Sequence, residues 1–139
     1  MRIVRLVLSA ALGTSALVGI QILATDYWLW SAAPTHAYGL MAFVALDLAL
    51  ILGVWRVTRL AMIGPLLTAT FQFVAMLGDL IGGEPAGLPA AVFRNYLLAD
   101  TAYIGLLVTQ GLIVAIATGT WALPRLHHHW PGSLRMVRS

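Results

Sequence analysis

Residues 37–55 read AYGLMAFVALDLALILGVW, an apolar run of 19 residues that contains a single charged side chain, Asp47. A helix rises about 1.5 Å per residue, so this run approaches the roughly 30 Å of hydrocarbon in a bilayer. Residues 6–25, 60–78 and 101–124 form three further charge-free stretches. Their apolar residues are continuous rather than alternating, which predicts helices and not the strands of a barrel.

These stretches predict an all-α integral membrane protein, a single four-helix bundle. We expect helices at about 4–25, 37–55, 60–80 and 95–123, followed by a cytoplasmic tail at 124–139. The composition agrees, since 60% of the 139 residues are hydrophobic and 9% are charged, too few to cover a soluble domain. The chain contains no cysteine, which excludes disulfides, thiolate metal sites and thiol redox chemistry.

The arginines predict the orientation of the bundle. All eight basic residues are arginine, and seven of them fall before the first helix, between the second and third, or after the fourth. An even number of crossings puts these segments on one side, so the positive-inside rule places both termini in the cytoplasm, N-in/C-in, in the inner or plasma membrane. Because the arginines lie at the ends of apolar runs, we expect contacts with lipid headgroups and none with nucleic acid.

The first apolar run resembles a signal peptide, because Arg2 and Arg5 precede it. It is too long for an ordinary signal sequence, and no small-x-small cleavage site precedes Asp26. We therefore expect a retained first helix. Its small residues, Ser9 with Gly13 and Ser15 with Gly19, predict close packing against a neighbouring helix.

Polar residues inside the predicted spans are the candidate functional residues. Asp47 lies near the bilayer midplane, where a carboxylate costs about 3 kcal/mol on insertion scales. It either handles protons or cations, or fixes helix packing through a hydroxyl or amide of a neighbouring helix. Gln72 and Gln110 are expected to form hydrogen bonds across the bundle, as part of the same intramembrane polar site.

A second cluster is predicted on the outer side. Asp79 and Asp100 lie on consecutive predicted helices at similar outer depth, with Arg94 nearby. They either seal the outer end through an Asp–Arg pair or share a proton or cation. Tyr103 follows on the same face as Asp100, and His36 lies about 16 Å above Asp47 on the second helix, too far for contact.

The tail carries a cationic, aromatic-flanked surface for a partner chain or for headgroups, formed by Arg125, His127, His128, His129, Arg135 and Arg138. Contiguous histidines on a helix point about 100° apart and do not converge on one ion, so no metal site is predicted.

Three functions remain open. The first is a non-catalytic accessory subunit of a larger membrane complex that handles electrons or protons, with other membrane subunits and lipid as partners. It has no cofactor of its own, because the histidines lie at opposite rims and exclude bis-His haem, but contact with lipid or quinone is allowed. The second is a proton- or ion-coupled transporter or channel subunit that uses Asp47 and forms a homo-oligomer. The third is a membrane enzyme acting on lipid or quinone, with Asp79, Asp100 and Tyr103 as acid/base residues.

Overall fold

Helices account for all the regular structure in the described part of the chain. The computed structural model describes residues 2–56, 63–82 and 88–126, with side chains up to residue 120, and no strand occurs among these residues. The helices are α1 (Arg2–Thr25), α2 (Tyr27–Ala32), α3 (Pro34–Arg56), α4 (Ile63–Gly82), α5 (Ala90–Ala99) and α6 (Thr101–Leu126). The all-α prediction is confirmed for the described residues.

Four helices are long and apolar enough to cross a membrane: α1, α3, α4 and the segment Thr101–Thr120 of α6. This indicates a multi-pass membrane protein. Large apolar side chains such as Leu17 and Phe71 are exposed on the outside of the bundle, whereas Asp47 and Gln110 are buried inside it. That distribution suits a lipid solvent, in which an apolar outer surface costs nothing and buried polar groups join the helices.

Helix α1 packs against α3 and α6, and α4 packs against α6 and α3. The contact between α1 and α3 is close at Gly19, where an added Cβ would lie 2.6 Å from Cγ2 of Val44. Ser15 and Gly19 are both buried, so this predicted small-residue pair does face a neighbouring helix. At Gly13 an added Cβ would lie 4.0 Å from Ile51, an ordinary contact distance.

Two apolar clusters divide the core into halves. The half near the start of α1 contains Leu8, Leu12, Val54, Ala69 and Ile113, here called the inner cluster. The other half contains Ile22, Leu29, Ala33, Ala37, Met76 and Leu106. Each member of the inner cluster is at most 1% exposed, so these five side chains are fully packed.

Several helix bounds differ from the expected ones. Helix α3 begins at Pro34, three residues before the predicted start, and α4 begins at Ile63. Gly64 and Pro65 lie in the first turn of α4, where the missing N–H of proline costs no intrahelical hydrogen bond. The predicted outer loop contains α2, which Asp26 caps by accepting a hydrogen bond from the Leu29 N–H at 2.9 Å.

The fourth predicted helix is interrupted at Asp100 and forms two helices, α5 and α6. Asp100 has extended backbone angles (φ −84°, ψ 106°), and its Oδ1 accepts a hydrogen bond from the Ala102 N–H at 2.9 Å. An aspartate in this arrangement caps the start of a helix. The break allows α5 to lie against the end of the bundle, where it buries Phe93 and Leu97.

Candidate functional site

A cavity of about 280 Å³, here called the end cavity, lies in the half of the bundle away from the inner cluster. The later turns of α1 and α4 and the first turns of α3 and α6 surround it, and α2 and α5 complete its wall. Its lining residues are Ile22, Asp26, Leu29, Thr35, His36, Gly39, Leu40, Phe43, Gln72, Ala75, Met76, Asp79, Phe93, Tyr96, Leu97, Asp100, Tyr103 and Leu106.

Aromatic contacts join the two short helices beside this cavity. The ring of Trp28 in α2 lies 4.0 Å from that of Tyr96 in α5, centroid to centroid, and 6.2 Å from that of Phe93. The Tyr96 hydroxyl donates a hydrogen bond to Oδ2 of Asp26. Burial, and then this hydrogen bond and the charges of Asp26 and Asp100, raise the pKa of Tyr96. Its hydroxyl therefore stays protonated and continues to donate.

A hydrogen-bonded contact between two side chains links α3 to α4 within the cavity wall. Nε2 of His36 lies 3.2 Å from Oδ1 of Asp79, and both side chains are half-buried. The sequence placed both residues in the outer cluster but proposed Arg94 as the partner of the carboxylates. Arg94 is exposed on α5, and the ion pairs of the described residues do not include it.

Asp79 and Asp100, the two aspartates predicted to seal the outer end, have different hydrogen-bond partners among the described residues. Oδ1 of Asp79 contacts His36, and Oδ1 of Asp100 caps α6. No hydrogen bond joins the two carboxylates in this part of the chain. Tyr103, the predicted acid/base residue, donates its hydroxyl to the carbonyl oxygen of Met76 at 2.8 Å. Asp79, Asp100 and Tyr103, which the sequence grouped on the outer side, all line the end cavity.

Gln72 is the deepest polar residue of the cavity lining along α4, seven residues or about 10 Å from Asp79. Only 2% of it is exposed. Its Oε1 has no hydrogen-bond partner within the described residues. A buried amide oxygen without a donor costs about 1–3 kcal/mol, which makes Gln72 available to a bound molecule. Gln72 does not form the predicted hydrogen bond across the bundle with any of the described residues.

Below the cavity lies a second polar group, the buried triad Gln110–Ser15–Asp47. Nε2 of Gln110 donates to the Ser15 hydroxyl at 2.6 Å, and this hydroxyl donates to Oδ2 of Asp47 at 2.5 Å. Asp47 lies four residues after Phe43, about 6 Å further along α3 than the cavity wall. The triad joins α6, α1 and α3. This arrangement matches the packing alternative for Asp47, in which a neighbouring helix supplies a hydroxyl.

Three important residues were not among the predicted site residues. Asp26 and Tyr96 line the cavity and hydrogen-bond to each other, and Ser15 is the partner of Asp47. Ser15 had a usable signal, because its hydroxyl lies within the small-residue pair that predicted close packing. Asp26 had a weaker signal as the first acidic residue after the first span.

The predicted docking residues fall at or beyond the limit of the description. Arg125 lies in the last turn of α6, in the segment whose side chains are not described. His127, His128, His129, Arg135 and Arg138 lie outside the described residues. Within the described residues, no group of three His, Asp or Glu side chains could hold a metal ion.

Family models, curated proteins and solved structures were compared with this chain, and none of them matches it.

Proposed function

We propose that this protein is a small, non-catalytic accessory subunit of a larger membrane complex, and that it binds a small molecule in the end cavity. One observation carries the binding half of the proposal. A cavity of about 280 Å³ is lined by side chains of all six helices, and its buried Gln72 has an unpartnered amide oxygen. Convergent polar groups in a mainly apolar pocket are typical of ligand sites.

The arginine distribution supports the N-in/C-in orientation in the cytoplasmic membrane. The end cavity lies between the end of α1 and the start of α3, so in this orientation it is near the outer face. A molecule dissolved in the outer leaflet, such as a lipid or a quinone, would reach the cavity without crossing the membrane. That position suits a complex that handles electrons or protons at the outer surface.

The partner half of the proposal rests on the tail sequence. Arg125, Arg135 and Arg138 with the three histidines form a cationic segment on the proposed cytoplasmic side. Such a segment complements acidic groups of another subunit or anionic headgroups. A homo-oligomer is the alternative assembly.

Native purification followed by mass spectrometry of the proteins and small molecules tests both halves. The full chain should retain other membrane subunits, and deletion of the residues after Trp130 should release them while the helices still insert. The cavity-filling variant Gly39→Leu should lose the small molecule but keep the partners. Gly39 lines the cavity, and an added Cβ there meets nothing within 4 Å. A full chain that purifies with neither partner nor ligand contradicts the proposal.

A second candidate is proton- or cation-coupled transport, which the buried triad favours. Asp47 is only 2% exposed, and intramembrane carboxylates are common in ion pathways. Transport would require a path past the apolar side chains of the inner cluster. Proton flux into liposomes distinguishes the candidates, because a transporter should lose flux in Asp47→Asn at unchanged assembly. A binding subunit should show no flux above that of empty liposomes.

A further inference from the structure

The charged groups of the end cavity are predominantly negative. Asp26, Asp79 and Asp100 line it, and His36 is the one basic side chain in the lining formed by the described residues. Even a protonated His36 would balance only one of the three carboxylates. This distribution disfavours anionic ligands and favours a cation, which is attracted by the carboxylates.

The free hydrogen-bonding groups of the cavity are mainly acceptors. Asp79 and Asp100 each use one carboxylate oxygen, and their second oxygens take no hydrogen bond from the described residues. Oε1 of Gln72 adds a third free acceptor.

The hydroxyl donors of the cavity are already committed. Tyr96 donates its hydroxyl to Asp26, and Tyr103 donates its hydroxyl to the Met76 carbonyl. A ligand that offers only acceptors, such as the carbonyl groups of a quinone, finds the amide N–H of Gln72 but no free tyrosine hydroxyl among the described residues. A ligand that carries positive charge or N–H donors finds several.

Aromatic rings supply the remaining recognition. Phe43, Phe93, Tyr96 and Tyr103 line the cavity together with aliphatic residues such as Leu40. The faces of aromatic rings attract organic cations, more strongly where water is excluded. The volume of about 280 Å³ lies just below the usual range of small-molecule sites, about 300–1,000 Å³, so the ligand must be small.

We infer that the end cavity binds a small amphipathic organic cation, an amine or quaternary ammonium group carried on an apolar body. The inference rests on the proposed function, since it names the class of the molecule that the cavity holds. The cationic group would lie between Asp79 and Asp100, and the apolar body would extend toward Gln72 and Phe43.

Calorimetry on the purified full chain in lipid nanodiscs tests the ligand class with three probes. The first is phenylpropyltrimethylammonium, the second its neutral isostere with a tert-butyl group in place of the ammonium, and the third a short-chain quinone. The cation should bind at least about tenfold more tightly than the isostere, because only the cation interacts with the carboxylates and ring faces.

Variants locate the binding in the cavity. Asp79→Asn keeps the contact with His36, and Asp100→Ser keeps the cap of α6, yet each removes one negative charge. Each should weaken cation binding by about tenfold and leave binding of the neutral isostere unchanged. Gly39→Leu should abolish binding of the cation. Gly53→Leu is the matched control, because Gly53 lies in the same helix, outside the cavity lining, and its Cβ would also meet nothing within 4 Å.

Three outcomes would overturn the inference: equal binding of cation and isostere, quinone binding without cation binding, or no binding of any probe. Quinone binding alone would leave the proposed binding function intact and change only the ligand class. If no probe binds, mass spectrometry of the small molecules that co-purify with the native chain still tests the proposed binding function separately. Cation binding that persists in Gly39→Leu would place it outside the cavity and also overturn the inference.

Discussion

Nε2 of His36, in the first turn of α3, lies 3.2 Å from Oδ1 of Asp79, in the last turn of α4, and the two residues are 43 positions apart. The sequence grouped both on the outer side but assigned them different neighbours. Their contact joins two helices within the lining of the end cavity, so it affects the shape of the site as well as the stability of the bundle.

A double-mutant cycle on His36→Gln and Asp79→Leu should give a coupling free energy below about 1 kcal/mol, because both side chains are half-buried and partly solvated. The measurement is the free energy of unfolding in an SDS titration. The pairing of His36→Gln with Arg94→Gln is the control cycle and should show no coupling. Equal coupling in both cycles would contradict a specific His36–Asp79 contact.

Gly19→Ala should destabilise the bundle by about 1–3 kcal/mol, because the new Cβ overlaps Cγ2 of Val44. Valine is stiff at χ1 in a helix and cannot rotate away. Gly13→Ala is the matched control, with its Cβ 4.0 Å from Ile51, and should be neutral or slightly stabilising. The double variant Gly19→Ala with Val44→Ala should recover part of the loss. Equal behaviour of the two single variants would rule out the close approach of α1 and α3.

Ser15→Ala should lower the free energy of unfolding by about 1–3 kcal/mol, because it leaves both Asp47 and Gln110 without a partner in the core. Thr14→Ala, at the preceding position, is the control. It removes an exposed hydroxyl that donates to the Ala10 carbonyl oxygen of the same helix and should cost less than about 0.5 kcal/mol.

Two further substitutions at Asp47 separate packing from protonation. Asp47→Asn keeps an acceptor for Ser15 and should assemble normally, while Asp47→Leu should be less stable than Asp47→Asn. Equal stability of these two variants would show that the hydrogen bond from Ser15 contributes little to assembly.

The N-in/C-in proposal predicts labelling from opposite sides at two positions. The chain has no cysteine, so single cysteines at Ser31 and Thr58 give unambiguous signals. In intact cells, an impermeant maleimide should label the Ser31 position in α2 and should miss the Thr58 position between the second and third spans. Labelling of both from outside would exclude the proposed topology.

The four spans were predictable because the free energy of transfer into lipid is a local property of about 20 residues. Continuous apolar runs therefore predicted α1, α3, α4 and α6 within a few residues at most ends. The break at Asp100 was not predictable in the same way. The sequence Ala99–Asp100–Thr101 contains neither Gly nor Pro, and the break depends on a side-chain cap and on the packing of Phe93.

The site was harder to predict than the fold because its contacts join distant parts of the chain. Asp26 and Tyr96 are 70 positions apart, and Ser15 and Gln110 are 95 apart. Helical spacing predicted which residues share a face of one helix, as it did for Asp100 and Tyr103. It could not predict how each helix is rotated against its neighbours, and that rotation decides whether Asp79 meets Arg94 or His36.

The hydrogen bond between Gln110 and Ser15 also has a consequence for biogenesis. Because α1 and α3 precede α6 in the chain, Ser15 and Asp47 would reach the membrane before Gln110, which donates to Ser15. Insertion of α6 would then supply the Gln110 amide to Ser15 and complete the buried triad. A chain truncated before α6 would lack Gln110, so the Ser15 hydroxyl would receive no hydrogen bond from a third helix.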